Sequence, residues 1–185
     1  MQKSFIYVFF FLITCSTLSI SAEVKEAIAK VYGRTIYRED IQGKGKSLES
    51  LVLRPLYERF IKKHHIVATE SEINEFLTAM GDALSTSNSP DERAMMREMA
   101  KSSVLQWKVS KALYEKYGGE VIFQQANPLE PIGAERRFLE EQEKSGAFQI
   151  LDPNERKKFF DYYVRPQPMV IPPSEVNYER PWWKK

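Results

Sequence analysis

The chain has 185 residues, 43% of them hydrophobic and 28% charged, with 27 basic against 25 acidic side chains and a formal net charge of +2. So even a balance implies no nucleic-acid partner, because such proteins concentrate positive charge on one face. The single cysteine, Cys15, rules out a disulfide within the chain, and the length suits one domain with a genuine apolar core.

Met1-Gln2-Lys3-Ser4 leads into an unbroken apolar run over residues 5–13 and then a small, polar segment over residues 14–22. One positive charge, a short apolar stretch and small residues ahead of the acidic Glu23 are the parts of a secretory signal peptide. Residues 1–22 are therefore read as a signal peptide cut after Ser21 or Ala22. The apolar run falls short of the ~20 residues that span a bilayer. The mature chain is thus expected in the periplasm, with no transmembrane anchor after cleavage. Removal takes away one lysine and Cys15, leaving a chain without a thiol. A second reading takes Leu12-Ile13-Thr14-Cys15 as a lipoprotein acylation box with Cys15 as the lipidated first residue, although Thr14 is bulkier than is usual there.

Residues 23–165 are expected to form a mainly α domain, a small bundle of about five helices preceded by a short extended segment or hairpin. Val31-Tyr32-Gly33-Arg34-Thr35-Ile36-Tyr37 sets β-formers on both sides of a glycine, a hairpin pattern too short to build a sheet. Beyond Gly43-Lys44-Gly45-Lys46, Leu48, Val52, Leu56 and Phe60 recur every fourth residue and predict an amphipathic helix to about Ile66, with Pro55 kinking it or marking its start. Thr69-Glu70-Ser71-Glu72 is a capping box. The helix it opens is predicted to bury Ile73, Phe76, Leu77 and Met80 and to end near Leu84.

Ser89-Pro90-Asp91-Glu92 opens the longest helix, which runs to Tyr117 and stops at Gly118-Gly119. Met95, Met96, Met99, Ala100, Trp107, Val109, Leu113, Tyr114 and Tyr117 fall on one half of its circumference, an arc wide enough to touch two neighbours. Asn127-Pro128 is predicted to open a helix to Lys144, and Asp152-Pro153-Asn154-Glu155 a short one carrying Phe159, Phe160, Tyr163 and Val164. Prolines at 166, 168, 172, 173 and 181 then forbid helix and favour an extended tail over residues 166–185, ending on Trp182-Trp183.

His64-His65 are the only histidines, and neighbouring helical positions point about 100° apart, so the pair cannot chelate one ion. No metal site or cofactor is expected; at a helix end the two complement the dipole. No Gly-rich phosphate loop, G-x-S-x-G elbow or H-E-x-x-H pair occurs, and Glu140-Glu141 with Glu143 read as a solvated face. No catalytic residue is assigned. The clustered thioethers suit a core or a surface that accepts varied partners. Met95, Met96, Met99, Trp107 and Tyr114 are the candidate peptide-binding residues, and Trp182 and Trp183 the candidate docking residues of the tail.

Ala29-Lys30-Val31-Tyr32-Gly33-Arg34-Thr35-Ile36-Tyr37-Arg38-Glu39-Asp40-Ile41 resembles the opening of the SurA-type N-terminal chaperone domain, a Val-x-x-Gly-x-x-Ile strand pair followed by an acidic helix start. The likeness continues through the helix from Leu48 to Phe60 and the capped helix at Thr69, covering most of residues 28–80. Tyr32 stands where Asn is frequent in that family, and Tyr37 where Ser or Thr often caps the helix. Relatives frequently carry a parvulin-type prolyl isomerase domain of about 100 residues; the segment 118–144 is too short for one. The resemblance implies a chaperone-like module that binds unfolded or extended polypeptide and assists folding or assembly of envelope proteins, without isomerase activity. The alternative is a dedicated interaction subunit of an envelope assembly, docking on a protein partner through its tail.

Overall fold

The computed structural model describes residues 25–42, 45–81 and 89–184. The signal peptide expected over residues 1–22, with Cys15, lies outside them, as do residues 85–88, which follow the predicted helix end near Leu84. The fold is mainly helical, as expected, with a small sheet. Strand β1 (Ala27–Val31) pairs antiparallel with β2 (Arg34–Tyr37) and, on its other edge, with β3 (Phe148–Ile150), giving the order β2-β1-β3.

The hairpin turns on Tyr32 and Gly33, both at positive φ (46° and 81°), the two-residue geometry whose twist matches the flanking strands. A register shift between Ala27 and Ala29 breaks the alternation of β1, so that Ile28 and Ala29 are both buried. The expectation that this segment is too short for a sheet is corrected by β3. Three residues between the Ser145-Gly146 turn and the Asp152 cap supply the third strand, Phe148 and Ile150 buried on either side of exposed Gln149.

Three of the helix starts carry an N-cap side chain that accepts a backbone N–H. After the single turn α1 (Arg38–Ile41), α2 (Leu48–Lys63) begins where Ser47 Oγ accepts from Ser50 N at 3.1 Å. Pro55 lies within α2 and does not mark its start. In α3 (Glu70–Met80) the capping box closes in both directions, with Thr69 N donating to Glu72 Oε2 at 2.8 Å and Glu72 N to Thr69 Oγ1 at 3.3 Å. α3 stops at Met80 rather than near Leu84, with Gly81 at φ 62° as its cap. α4 (Pro90–Tyr117) opens on Pro90 and closes on Gly118 at φ 59°.

α5 (Ile132–Lys144) starts after Pro131, not at Asn127-Pro128. Asn127 instead closes a turn, its N–H donating to Gln124 O at 3.1 Å, and its side chain donates to Ser110 Oγ at 3.3 Å in a buried pair. In α6 (Pro153–Val164) the Asp152 carboxylate caps Asn154 N and Glu155 N at 2.8 and 3.1 Å. α2 ends at Lys63, short of the expected Ile66: His64 is its C-cap, its ring 4.3 Å from Phe60.

Two apolar clusters result. The first joins Ile28, Val31 and Ile36 of the hairpin, Val52, Leu56 and Phe60 of α2, Val109 and Leu113 of α4, Phe138 and Leu139 of α5, Phe148 and Phe159. Arg38 clamps its edge, reaching Glu26 at 2.5 and 2.7 Å and Asp152 at 2.6 Å, so that β1, α1 and the start of α6 share one guanidinium. The second cluster joins Ile73 and Phe76 of α3, Ala100, Val104 and Trp107 of α4, Val121, Tyr178 and Trp183. Between them α5 comes against the chain at residues 119–120: Gly133 N donates to Glu120 O at 2.9 Å, and a Cβ on Gly133 would lie 2.4 Å from Glu120 N.

Gly133→Ala is therefore expected to lower stability by about 1–3 kcal/mol, the range for forcing extra volume into packed structure. Phe159→Ala should cost about 3–5 kcal/mol by removing a fully buried ring. Urea unfolding midpoints check both, and a Gly133→Ala midpoint equal to that of the parent would refute the close-approach account.

Candidate functional site

The second cluster is a groove walled by α3 and α4, with the chain from 119 to 131 along one side. Its occupant is the C-terminal tail. Ile73 and Phe76 project from α3, which its capping box and the Glu72–Lys108 ion pair (2.7 Å) hold against α4. Burial works against the Glu72 charge, but the Lys108 ammonium and the hydrogen bonds from Thr69 together hold its carboxyl below the usual range. Arg97 of α4 adds an ion pair with Glu70 and donates to Asn74 at 3.1 Å.

The tail enters the groove as an added strand. Ile122 is bridged antiparallel to Glu130 on one side and to Val170 on the other. Phe123 N donates to Met169 O at 2.9 Å, and Ile171 N to Val121 O at 2.8 Å. After a single 3-10 turn over Pro173–Glu175 the chain turns its rings inward. Tyr178 lies 5.2 Å from Trp107 and 5.0 Å from Tyr114, its hydroxyl donating to Leu129 O at 2.7 Å. Trp183 stands edge-on to Phe76 (5.2 Å) and Trp107 (5.9 Å), and Trp182 edge-on to Phe76 (5.8 Å). Such pairs contribute about 0.5–1.5 kcal/mol each beyond their buried area.

Three polar contacts fix the rest. Lys111 Nζ donates to Tyr178 O at 3.1 Å, Lys184 pairs with Glu75 at 2.6 Å, and Gln167 Nε2 donates to Tyr162 O at 2.7 Å. The Trp183 indole N–H is buried and finds no acceptor among the described residues. Beside Trp183 lies an open cleft of about 790 Å³, bounded by Ser71, Asn74 and Thr78 of α3 and by Arg180 and Lys184.

Of the candidate residues, Trp107, Tyr114, Trp182 and Trp183 meet in this groove. Met95 and Met99 do not: each is 58% exposed on the outer side of α4, with Met96 half-buried beside them. The half-circumference arc predicted for α4 narrows here, because its middle turns pack on α3 through Ala100 and Val104. Val121, Leu129 and Tyr178 were not singled out in the sequence; the proximity of Tyr178 to the terminal tryptophan pair is the one signal that could have found them.

Where the tail leaves α6, the carboxyls of Glu130 and Glu135 lie among Tyr57, Tyr162, Tyr163 and Tyr178. Tyr162 Oη donates to Glu130 Oε1 at 2.7 Å and accepts from Gln124 Nε2 at 3.3 Å. Burial raises the Glu130 carboxyl against the opposing hydrogen bond from Tyr162. Glu135, on the first turn of α5, is pushed up to about 8, by burial first and then by the charge of Glu130. Among the described residues no group of three or more His, Cys, Asp or Glu is placed to hold a metal ion, and no helix is long and apolar enough to cross a membrane.

The arrangement defines a mainly helical protein with an aromatic groove that holds an extended stretch of polypeptide. Comparison of the chain with protein-family models, with curated proteins and with solved structures finds no match.

The Glu135 shift has a thermodynamic consequence. Above the ordinary carboxylate range and up to about pH 8 the folded chain holds a proton that the unfolded chain has released, so stability falls as pH rises through that window. Urea midpoints taken at about pH 6 and about pH 9 should therefore drop in the parent and drop less in Glu135→Gln. Parallel pH profiles for the two would refute the assignment.

Proposed function

We propose that this protein is an exported, chaperone-like polypeptide-binding protein that assists folding or assembly of envelope proteins in the periplasm. One observation carries the reading: the groove between α3 and α4 accommodates an extended segment by main-chain pairing at Val121 and Phe123 and by aromatic packing on Phe76 and Trp107. Main-chain pairing gives affinity without sequence demands, and aromatic pockets give selectivity. The signal-peptide pattern of residues 1–22 and the likeness of residues 28–80 to SurA-type N-terminal domains support the same reading. No residue set suggests chemistry on the bound chain, so the activity proposed is binding alone.

Purified protein in near-stoichiometric amounts is expected to suppress light scattering from an unfolded outer-membrane protein diluted out of denaturant. Phe76→Ala, which removes a groove wall, should weaken the suppression several-fold. Unchanged scattering in the presence of the parent protein would refute the reading.

A further inference from the structure

We propose that the C-terminal tail is a displaceable resident ligand, and that the groove recognises extended segments built like it: a short apolar strand, then aromatic rings ending in an adjacent pair beside a basic residue. The inference rests on the polypeptide-binding reading and names both the ligand class and the element that regulates access.

The tail is held as a peptide would be held. Its strand contributes two main-chain hydrogen bonds to residues 121–123, and its outward side chains, Met169 and Val170, remain exposed. Its affinity comes from rings at 178, 182 and 183 set among Phe76, Trp107 and Tyr114. Glu75 at the far end takes Lys184 at 2.6 Å, which accounts for the basic residue following the aromatic pair. The root of the tail, Arg165-Pro166-Gln167-Pro168, is mostly exposed and outside regular structure, so the segment can leave without disturbing α6.

The fit is also imperfect. A buried donor without an acceptor opposes binding, and among the described residues the Trp183 indole N–H has none. A competing segment that places phenylalanine there avoids the cost. The open cleft next to Trp183 gives such a segment a place to begin.

The test uses a fluorescein-labelled peptide of sequence 166–185, titrated by polarisation against full-length chains. Trp182→Ala/Trp183→Ala, whose own tail loses its anchors, should bind it at least about tenfold more tightly than the parent, in which the tethered tail competes at high effective concentration. Trp183→Phe keeps a smaller aromatic ring in the pocket and removes the unpaired donor, so it should bind the peptide more weakly than the parent.

Ile171→Pro deletes the N–H that pairs with Val121 and leaves the groove walls intact. It should also bind more tightly than the parent, and it decides the matter if the double variant fails to fold. Peptide binding equal in the parent and in a variant with native circular dichroism, or absent from that variant, overturns the proposal. Client protection that is the same in parent and variants would also overturn it while leaving the chaperone reading intact. Tight peptide binding without client protection would sustain the groove specificity and overturn the chaperone reading instead.

Discussion

A single helix has to satisfy two apolar clusters at once, and the rest of the molecule is arranged around that demand. Along α4, Val109 and Leu113 point into the sheet-bearing core while Ala100, Val104 and Trp107 point into the groove. Successive side chains on a helix are about 100° apart, so one stripe cannot serve both sides. The buried Ser110–Asn127 pair stands between the two sets, tying the turn at 124–127 to the helix. The position of the groove is thereby inherited from the first core: anything that rotates α4 against α2 and α5 also moves Trp107.

The tail is structural as well as ligand-like. Without it, Ile73, Phe76, Val104 and Trp107 would lose the rings that cover them, and the chain from 119 to 131 would lose its outer strand partner. An exposed apolar patch of that kind marks an interaction site or an aggregation hazard. The protein's own C-terminus covers it. The acid pair Glu130 and Glu135 lies where the tail leaves α6, with Glu130 bonded to Tyr162, whose carbonyl in turn receives Gln167 of the tail root. Protonation there and anchorage of the tail therefore share a neighbourhood.

Much of the helical scaffold was legible because its signals are local. The box at Thr69 and the cap at Asp152 depend on a side chain meeting the backbone of its own first turn, the proline at 90 on its fixed φ, and the stop at Gly118 on a positive φ. Asn127-Pro128 misled for the complementary reason. An asparagine before a proline can cap a helix or close a turn, and the choice was made by Ser110, a residue on another helix, with Glu130 bridged to Ile122. The strand at Phe148–Ile150 was invisible, since three residues of alternating burial mean nothing until β1 offers an edge.

The sequence by itself determined the helix boundaries set by caps, the hairpin at Tyr32-Gly33 and the presence of an unusually aromatic, proline-rich C-terminus, because all of these are encoded within a few neighbouring residues. Only the tertiary structure decided where that C-terminus goes. Two tryptophans carry the same apolar area whether they meet a partner or their own fold, and their seat depends on Phe76, Trp107 and Val121, brought together from two helices and a loop. The same reason leaves Met95 and Met99 outside the groove: an apolar residue on a helix is buried only where another element comes to cover it.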